Sequence, residues 1–339
     1  MIHHPWTEPP TEAQAVEVAE GVLWLRLPLP MTLDHVNVYA LDDGDGWTVV
    51  DTGFSTRRTK AIWQAMIAGP LGGKPVRRLI VTHHHPDHIG LAGWFQMQGV
   101  ELITTRTAWL LARMLVLDVE EVHSAEALLY YRRAGIGDAA LAEKASARPY
   151  NFADVVAPMP VGFTRVEEGS EIVAGGRRWQ VRLGHGHAPD HLTLWSLDDD
   201  LVIGGDQLLP GISANIGVYP TEPEADPLGE WLASTARFVP LAHEDQLILP
   251  GHKLPFMGLP FRLNQMAQNH IEALERLRRH LSTPRRAVDC FVPLFKREIT
   301  GEAYGFALVE AVAHLNHLLQ RGEVSRHFAE DGAWLWQAK

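Results

Sequence analysis

The segment HHHPDH, which follows the apolar run LIV, crowds four histidines and an aspartate into six positions. His83, His85 and Asp87 are spaced two apart, so in an extended chain leaving a strand they project to the same side. Pro86 keeps His85 out of helical geometry, and we expect a helix to start at His88 with Asp87 as its N-cap. One strand-to-helix turn thus gathers imidazoles beside a carboxylate, which predicts a metal site rather than a polar turn with chance histidines.

The same arrangement recurs further along the chain. His185, His187 and His191 follow the run RRWQVRL, Asp206 follows LVIGG, and His252 follows QLILP. Polar side chains at the ends of several apolar strands are where an α/β scaffold gathers a site. The chain has one cysteine, so imidazole and carboxylate are its available zinc ligands. Two metals close together would need two ligand sets and a bridging carboxylate.

Length and composition set the class of protein. The 339 residues suffice for one large domain or for a large domain plus a small one. The net charge of −11 argues against a polyanion-binding surface over the whole protein. The polar start, MIHHPWTEPPTEAQ, lacks the apolar core of a secretory signal, and no run approaches the roughly 18 apolar residues of a membrane helix. A cytoplasmic location is the resulting expectation.

Apolar alternation and turn residues predict strands at GVLWLRLPLP, HVNVYAL, WTVVDTG, RRLIVT, VELITT, RRWQVRL, LTLWSL, LVIGG and DQLILP. Helical spacing of apolar residues predicts helices near 57–68, 107–148 and 261–282. The end, VSRHFAEDGAWLWQ, is typical of a hairpin with an Asp-Gly turn. Strands alternating with helices indicate an α/β fold.

Taken together, the motifs VVDTG, THHHPDH, GHAPDH, GGDQLL and PGHK resemble those of the metallo-β-lactamase-fold hydrolases, in that family's order, over about residues 20–260. The resemblance implies an αββα sandwich with a dinuclear metal site at one edge. It places the catalytic domain at 1–260, with a helical insert at about 107–148. The tail, 261–339, is similar to the small winged-helix-like domain of the hydroxyacylglutathione-hydrolase-like branch.

The resemblance also implies the metal ligands by motif position. His83, His85 and His187 would hold the first metal, Asp87, His88 and His252 the second, and Asp206 would bridge them. Asp51 in VVDTG would orient the histidine-rich turn. Two Zn²⁺ per chain are expected, with iron or manganese as alternatives. Relatives that run redox chemistry on two irons carry Glu at the position of His85, which disfavours that chemistry here.

Three residues are expected to act beside the metals. Asp206 is expected to accept the nucleophile's proton, and His191 to contact substrate or protonate a leaving group, although a structural role for His191 stays open. In some lactonases a tyrosine in the region of Tyr219 polarises the substrate carbonyl, and this role is carried to Tyr219 as a hypothesis.

Four neighbours of the motifs leave alternatives open. His185 competes with His187 on spacing, but the pattern GH-x-x-x-H favours His187. Asp190 stands where glycine is more usual in the family, at a backbone position near the metals. His35 and Asn37 lie in a loop that often borders the cleft, and a structural role for them is equally open.

Two divalent ions lower the pKa of a bridging water toward neutrality and polarise the bond to be cleaved. The leading hypothesis is a dinuclear zinc hydrolase whose metal-bridging hydroxide attacks the carbonyl of a small thioester or ester. The alternatives are a metal-dependent endoribonuclease or phosphodiesterase, a lactonase, a β-lactamase-like enzyme, and a non-catalytic binding module. The acidic net charge and the lack of a basic track argue against nucleic acid as partner.

The helical insert and the tail carry no catalytic motif. The insert is apolar and includes Met114, Tyr130 and Tyr131. One interpretation is that it provides extra core packing or a homodimer interface. The other is that it forms a wall over the cleft that suits an acyl or aryl group. Basic and acidic residues roughly balance in the tail, which favours a packing or dimerisation module over nucleic-acid binding.

Overall fold

The computed structural model describes residues 1–339, and none of its helices is long and apolar enough to cross a membrane. The strands are β1 (Val16–Ala19), β2 (Val22–Pro28), β3 (His35–Asp42), β4 (Trp47–Val50), β5 (Val76–Ile80), β6 (Glu101–Thr104), β7 (Thr164–Arg165), β8 (Glu171–Ala174), β9 (Arg177–Gly184), β10 (His191–Ser196), β11 (Leu201–Gly205), β12 (Leu247–Pro250), β13 (Val324–Phe328) and β14 (Trp334–Ala338). The helices are α1 (Arg57–Ala68), α2 (Pro86–Ile89), α3 (Ala92–Gln96), α4 (Arg106–Leu117), α5 (Ala125–Arg133), α6 (Asp138–Ser146), α7 (Pro227–Phe238), α8 (Leu259–His280), α9 (Phe291–Phe295) and α10 (Ala303–Gln320).

Two sheets carry most of the strands. The first has seven strands in the order β1 to β7, antiparallel up to β4 and parallel from β4 onward. The second has five strands in the order β12-β11-β10-β9-β8, with β11 and β12 parallel. A separate hairpin of β13 and β14 closes the chain around the predicted Asp-Gly turn.

The core lies on both faces of the first sheet. One apolar cluster joins the two sheets and includes Trp24 and Ile80 from the first and Trp179 and Leu194 from the second. The opposite face packs against helices, which contribute residues such as Trp63. Two facing sheets with an apolar cluster between them, and helices on the opposite face of the first sheet, confirm the predicted sandwich of the metallo-β-lactamase type.

Helix α1 shows how closely local sequence signals fix an element. The Thr56 side chain accepts a hydrogen bond from the Thr59 backbone N–H and so caps the first turn. Thr59, Ile62 and Met66 recur at helical spacing on the buried face. The predicted bounds, 57–68, match the observed helix.

Helix α2 begins earlier than predicted. Pro86 is its first residue, His85 is the N-cap, and Asp87 lies inside the first turn, so the prediction of Asp87 as N-cap is wrong. Proline is favoured at the first helical position because its φ is already helical and its missing N–H would be unpaired there. The shift places Asp87 and His88 in one turn directly after His83–His85.

The chain divides into two compact units, each built from three segments. The first consists of residues 1–119, 151–214 and 241–262, and the second of residues 120–150, 215–240 and 263–339. The last change of unit falls after residue 262, but the second unit also includes residues 120–150 and 215–240 of the predicted catalytic domain, so the predicted boundary at residue 260 stays a prediction. The predicted insert falls into three helices, of which α4 belongs to the first unit and α5 and α6 to the second.

Within the second unit, Tyr130 of α5 is buried, and its hydroxyl donates to the Val218 carbonyl at 2.6 Å. This contact assigns Tyr130 to packing rather than to a substrate-facing wall. One side of helix α4 carries apolar residues that are exposed rather than buried. These residues are Leu110, Met114 and Leu117.

Candidate metal centre

The predicted ligands follow the carboxyl ends of four strands of the first unit. His83 comes after β5, His187 after β9, Asp206 after β11 and His252 after β12. Because β11 and β12 are parallel and β9 leads into the same edge of the second sheet, these side chains meet at one place.

Three imidazole nitrogens form the first group. His83 Nε2 lies 2.9 Å from His85 Nδ1, which lies 3.0 Å from His187 Nε2. Two nitrogens bound at about 2.0–2.1 Å to one tetrahedral zinc ion are about 3.3 Å apart, so the observed spacing is close to that of a shared metal. The structure brings together the three residues predicted for the first metal.

A carboxylate and two imidazoles form the second group. Asp87 Oδ2 lies 3.5 Å from His88 Nε2 and 3.4 Å from His252 Nε2. His88 is fully buried and His252 nearly so. This is the mixed oxygen and nitrogen set predicted for the second metal.

Asp206 lies between the two groups. Its Oδ2 is 3.5 Å from His187 Nε2 on one side and 3.3 Å from His252 Nε2 on the other, and its Oδ1 is 3.4 Å from His88 Nε2. One carboxylate therefore reaches ligands of both groups, which is the arrangement expected of a bridging residue.

Two buried atoms show that the site fits a cation. His88 Nδ1 is hydrogen-bonded to Asp51 Oδ2 at 2.7 Å, so in the neutral ring the lone pair is on Nε2. His88 Nε2 and Asp206 Oδ1 are both buried without a hydrogen-bond partner, and they face each other across 3.4 Å. With the His88 ring neutral, these two acceptors repel each other unless a proton or a metal ion lies between them.

The pKa shifts of the histidines are also those expected of a cation-binding site. Burial lowers the pKa of His83 and of His85 well below the usual value, so both rings are neutral and present lone pairs. Burial also opposes charge on His88, yet the carboxylates of Asp206 and Asp87 raise its pKa well above the usual value. The same negative field that attracts a proton attracts a divalent cation, which competes with protons for these ligands.

Asp51 and Thr82 hold the histidines in place. Asp51 accepts from the Thr82 backbone N–H and hydroxyl, both at 2.8 Å, and from His88. The Thr82 hydroxyl also lies 3.0 Å from His83 Nδ1. Asp51 thus orients one histidine from each group, directly for His88 and through Thr82 for His83. Thr82 was not predicted, although its place immediately before the histidine-rich turn is a signal that could have found it.

Replacing Asp51 by asparagine should weaken metal binding by about 10- to 100-fold, since outer partners of metal-bound histidines contribute that much. Asp51 has a φ of 63°, a left-handed conformation that asparagine tolerates, so the backbone should hold. Competition with a chromophoric zinc chelator measures the affinity, with the exposed Asp45→Asn as matched control. Equal affinity in the two variants would remove the orienting role of Asp51.

The loop that carries His252 is fixed by the early strand β3. His252 Nδ1 donates to the His35 carbonyl at 2.7 Å, and His35 Nε2 accepts from the Lys253 backbone N–H at 2.9 Å. The Asn37 amide donates to the carbonyl of Lys253 at 2.7 Å. A side chain at Gly251 would clash with Asp206 Oδ1. Of the two open alternatives for His35 and Asn37, the structure favours the structural one.

His191 is placed behind Asp206. It is fully buried, and its Nε2 accepts from the Asp206 backbone N–H at 3.1 Å. Burial is the largest cause that lowers its pKa, to about 3. These contacts support the structural alternative, in which the neutral ring positions Asp206, and the predicted catalytic role of His191 stays a prediction.

The loop between His187 and His191 is anchored by Asp190. This residue adopts a φ of 51°, which explains why glycine suits the position, and its side chain accepts from the Thr107 hydroxyl. His185 Nδ1 accepts from the Asp190 backbone N–H at 3.2 Å, and the group of ligand atoms that the structure brings together contains His187 rather than His185.

Tyr219 belongs to the second compact unit, whereas the predicted ligands belong to the first. Its side chain is partly exposed, and burial of the hydroxyl, with Glu310 and Tyr131 nearby, raises its pKa to about 12. Its predicted role in polarising a substrate carbonyl stays a prediction.

The chain matches known families over most of its length. Residues 31–252 match the family described as the Metallo-beta-lactamase superfamily, and residues 274–339 match the one described as Metallo-beta-lactamase-like, C-terminal domain. The chain is also similar to the probable metallo-hydrolase YqjP of Bacillus subtilis (strain 168), with 26% identity over 308 residues, 88% of this chain and 92% of that protein.

Solved structures agree with the sequence comparison. A beta-lactamase domain protein from Burkholderia ambifaria is 36% identical, with a TM-score of 0.91 over 100% of this chain and 98% of that one. A metallo-beta-lactamase family protein from Thermus thermophilus shares the fold at 24% identity, with a TM-score of 0.80 over 95% of this chain and 100% of that one.

Proposed function

This chain belongs to the metallo-β-lactamase superfamily and is a metal-dependent hydrolase, and on that premise we propose that it uses a dinuclear zinc centre to hydrolyse the thioester or ester bond of a small substrate. His83, His85 and His187 would hold one ion, Asp87, His88 and His252 the other, and Asp206 both. The observation that carries this proposal is the position of Asp206, within 3.5 Å of nitrogens from both groups.

The donor set supports zinc over harder cations. Five of the seven side chains offer imidazole nitrogen, whereas Mg²⁺ and Ca²⁺ prefer oxygen ligands. Zinc ions bound here would supply a hydroxide nucleophile at neutral pH and a Lewis acid for the developing oxyanion. The protein's own part is to fix the ligands through Asp51 and the His35 carbonyl, and to keep Asp206 ionised, because His252 and His88 lower its pKa despite burial.

Charge supports a carbonyl substrate over a nucleic acid. The net charge of −11 repels polyanions at long range. Helix α4, in the same unit as the metal ligands, exposes the apolar residues Leu110, Met114 and Leu117 along one side. The first turn of α4 contacts the loop between His187 and His191, because the Thr107 hydroxyl donates a hydrogen bond to the Asp190 carboxylate. An acyl or aryl group matches such a surface better than a phosphate backbone does.

A panel of substrates tests the proposal. Zinc-loaded protein is expected to give the highest kcat/KM with small thioesters or aryl esters, and at least about tenfold lower values with phosphodiesters, a difference of about 1.4 kcal/mol in transition-state binding. Lactones, a chromogenic β-lactam and RNA complete the panel. RNA cleavage that falls steeply with salt and exceeds every ester turnover would replace the proposal by a nuclease.

A single substitution tests whether α4 contacts the acyl group. Met114 lies seven residues beyond Thr107, about 10 Å along the helix. Met114→Ala should raise KM for a long-chain ester by about 3- to 10-fold, leave a short-chain ester unchanged, and spare metal content, because about 1 kcal/mol of apolar contact is lost. Met97→Ala, an exposed methionine after α3, is the matched control. Equal KM changes for both esters would exclude a contact specific to the acyl chain.

A further inference from the structure

A second cluster of metal-binding side chains lies in the second compact unit. His270 comes from α8, and Glu310 and His314 come from α10. The two α10 residues are four apart and therefore share one face of the helix. One ligand atom from each of the three side chains lies within 4.8 Å of the others.

The tautomer of His314 is set by its own helix. His314 Nδ1 donates to the Glu310 backbone carbonyl at 2.8 Å, which leaves the lone pair on Nε2. That Nε2 lies 3.2 Å from His270 Nδ1. The spacing is close to the roughly 3.3 Å that separates two imidazole nitrogens on one tetrahedral zinc ion.

His270 is incompletely satisfied by the protein. The residue is only 5% exposed, and its Nε2 is buried without a hydrogen-bond partner. A buried ring nitrogen without a hydrogen bond or a bound metal ion lowers the stability of the folded state. A hydrogen bond between the two rings accounts for one nitrogen of His270 only, so a complete polar network does not explain this histidine.

Glu310 lacks a cationic partner. The Asn215 amide donates to Glu310 Oε2 at 2.8 Å, and no lysine or arginine pairs with this carboxyl. Burial raises the pKa of Glu310 to about 7, and burial lowers the pKa of His270 to about 3 and that of His314 to about 4. At neutral pH the two rings are neutral ligands beside a carboxyl that a nearby cation would ionise.

We propose that His270, Glu310 and His314 bind a divalent transition-metal ion of the zinc type, which joins α8 to α10 within the second unit. Two imidazoles and a carboxylate suit zinc and its neighbours and do not suit Mg²⁺ or Ca²⁺. The site is separate from the seven ligands of the hydrolytic centre and shares no residue with them. Its expected effect is structural, because a metal that ties two helices stabilises the folded state alone.

Metal content of full-length variants tests the proposal. Glu310→Gln keeps the size of the side chain and an acceptor for Asn215, and His270→Asn provides a second, independent change. After zinc loading and desalting, each variant should hold one equivalent less zinc than the wild-type protein. Because the result is a difference, it does not depend on how many ions the hydrolytic centre holds.

The control is His280→Asn, which removes another histidine from α8 that lies outside the cluster and contacts the Asp289 carbonyl. It should keep the wild-type zinc content. The gain in Tm on adding zinc to metal-free protein should also be smaller in Glu310→Gln than in wild type. Equal zinc content and equal zinc-dependent Tm shifts in all four proteins would overturn the proposal and leave a hydrogen-bonded cluster only.

Discussion

Asp206→Ala should lower kcat/KM for an ester substrate by about 10³-fold or more, because loss of a bridging carboxylate removes about 4 kcal/mol of transition-state stabilisation. Asp206 is the one side chain within 3.5 Å of nitrogens from both ligand groups. We therefore expect zinc content to fall together with the rate. Steady-state kinetics and elemental analysis on the same preparation measure both quantities.

The control for this experiment is Asp245→Ala, which removes an exposed aspartate of the same unit just before β12. It should retain full activity and full zinc content. An Asp206→Ala protein with wild-type activity would show that the assignment of the ligands is wrong. An Asp206→Ala protein with lower activity and unchanged zinc content would indicate that Asp206 acts in proton transfer and not as a metal ligand.

Removal of the metal with a chelator should reduce ester hydrolysis to the background rate. Without a bound cation the site offers no hydroxide at neutral pH, since water has a pKa near 15.7 and a metal lowers it to about 7. Adding Zn²⁺ should restore the activity, and Mg²⁺ should not, because imidazole donors dominate the ligand set.

The chelated protein must remain folded for this result to count. Circular dichroism before and after chelation provides that control, and restoration by Zn²⁺ shows that the loss is reversible. Full activity in folded protein without detectable metal would contradict a metal-dependent mechanism for this chain.

Much of the fold and of the site was predictable because local chemistry and the final structure agree. The bounds of α1 follow from its cap and its buried face, and most strands follow from runs of apolar residues, whereas β1, β7 and β8 were not predicted. The seven predicted ligands each lie in a short motif that follows a strand. Residues two apart in an extended segment project to the same side, so the sequence alone could predict that His83 and His85 lie close together.

The features that sequence did not predict depend on distant contacts. His191 sits in the same motif as His187, yet only the tertiary structure shows that it accepts from the Asp206 backbone N–H, 15 residues away. Likewise, the support of His252 by the His35 carbonyl joins residues 217 positions apart. The insert could not be divided in advance, because the grouping of α4 and α5 into different units depends on packing rather than on helical periodicity.

Anomalous diffraction at the zinc edge from crystals of zinc-loaded protein tests the two-metal centre most directly. At this centre, apart from any ion held by His270, Glu310 and His314, we predict two peaks, one within about 2.0–2.2 Å of the ligand atoms of His83, His85 and His187, and one at the same distances from Asp87, His88 and His252. Asp206 should contact both peaks. A single peak at this site after full zinc loading, or two peaks with Asp206 turned away from one of them, would contradict the proposed dinuclear centre.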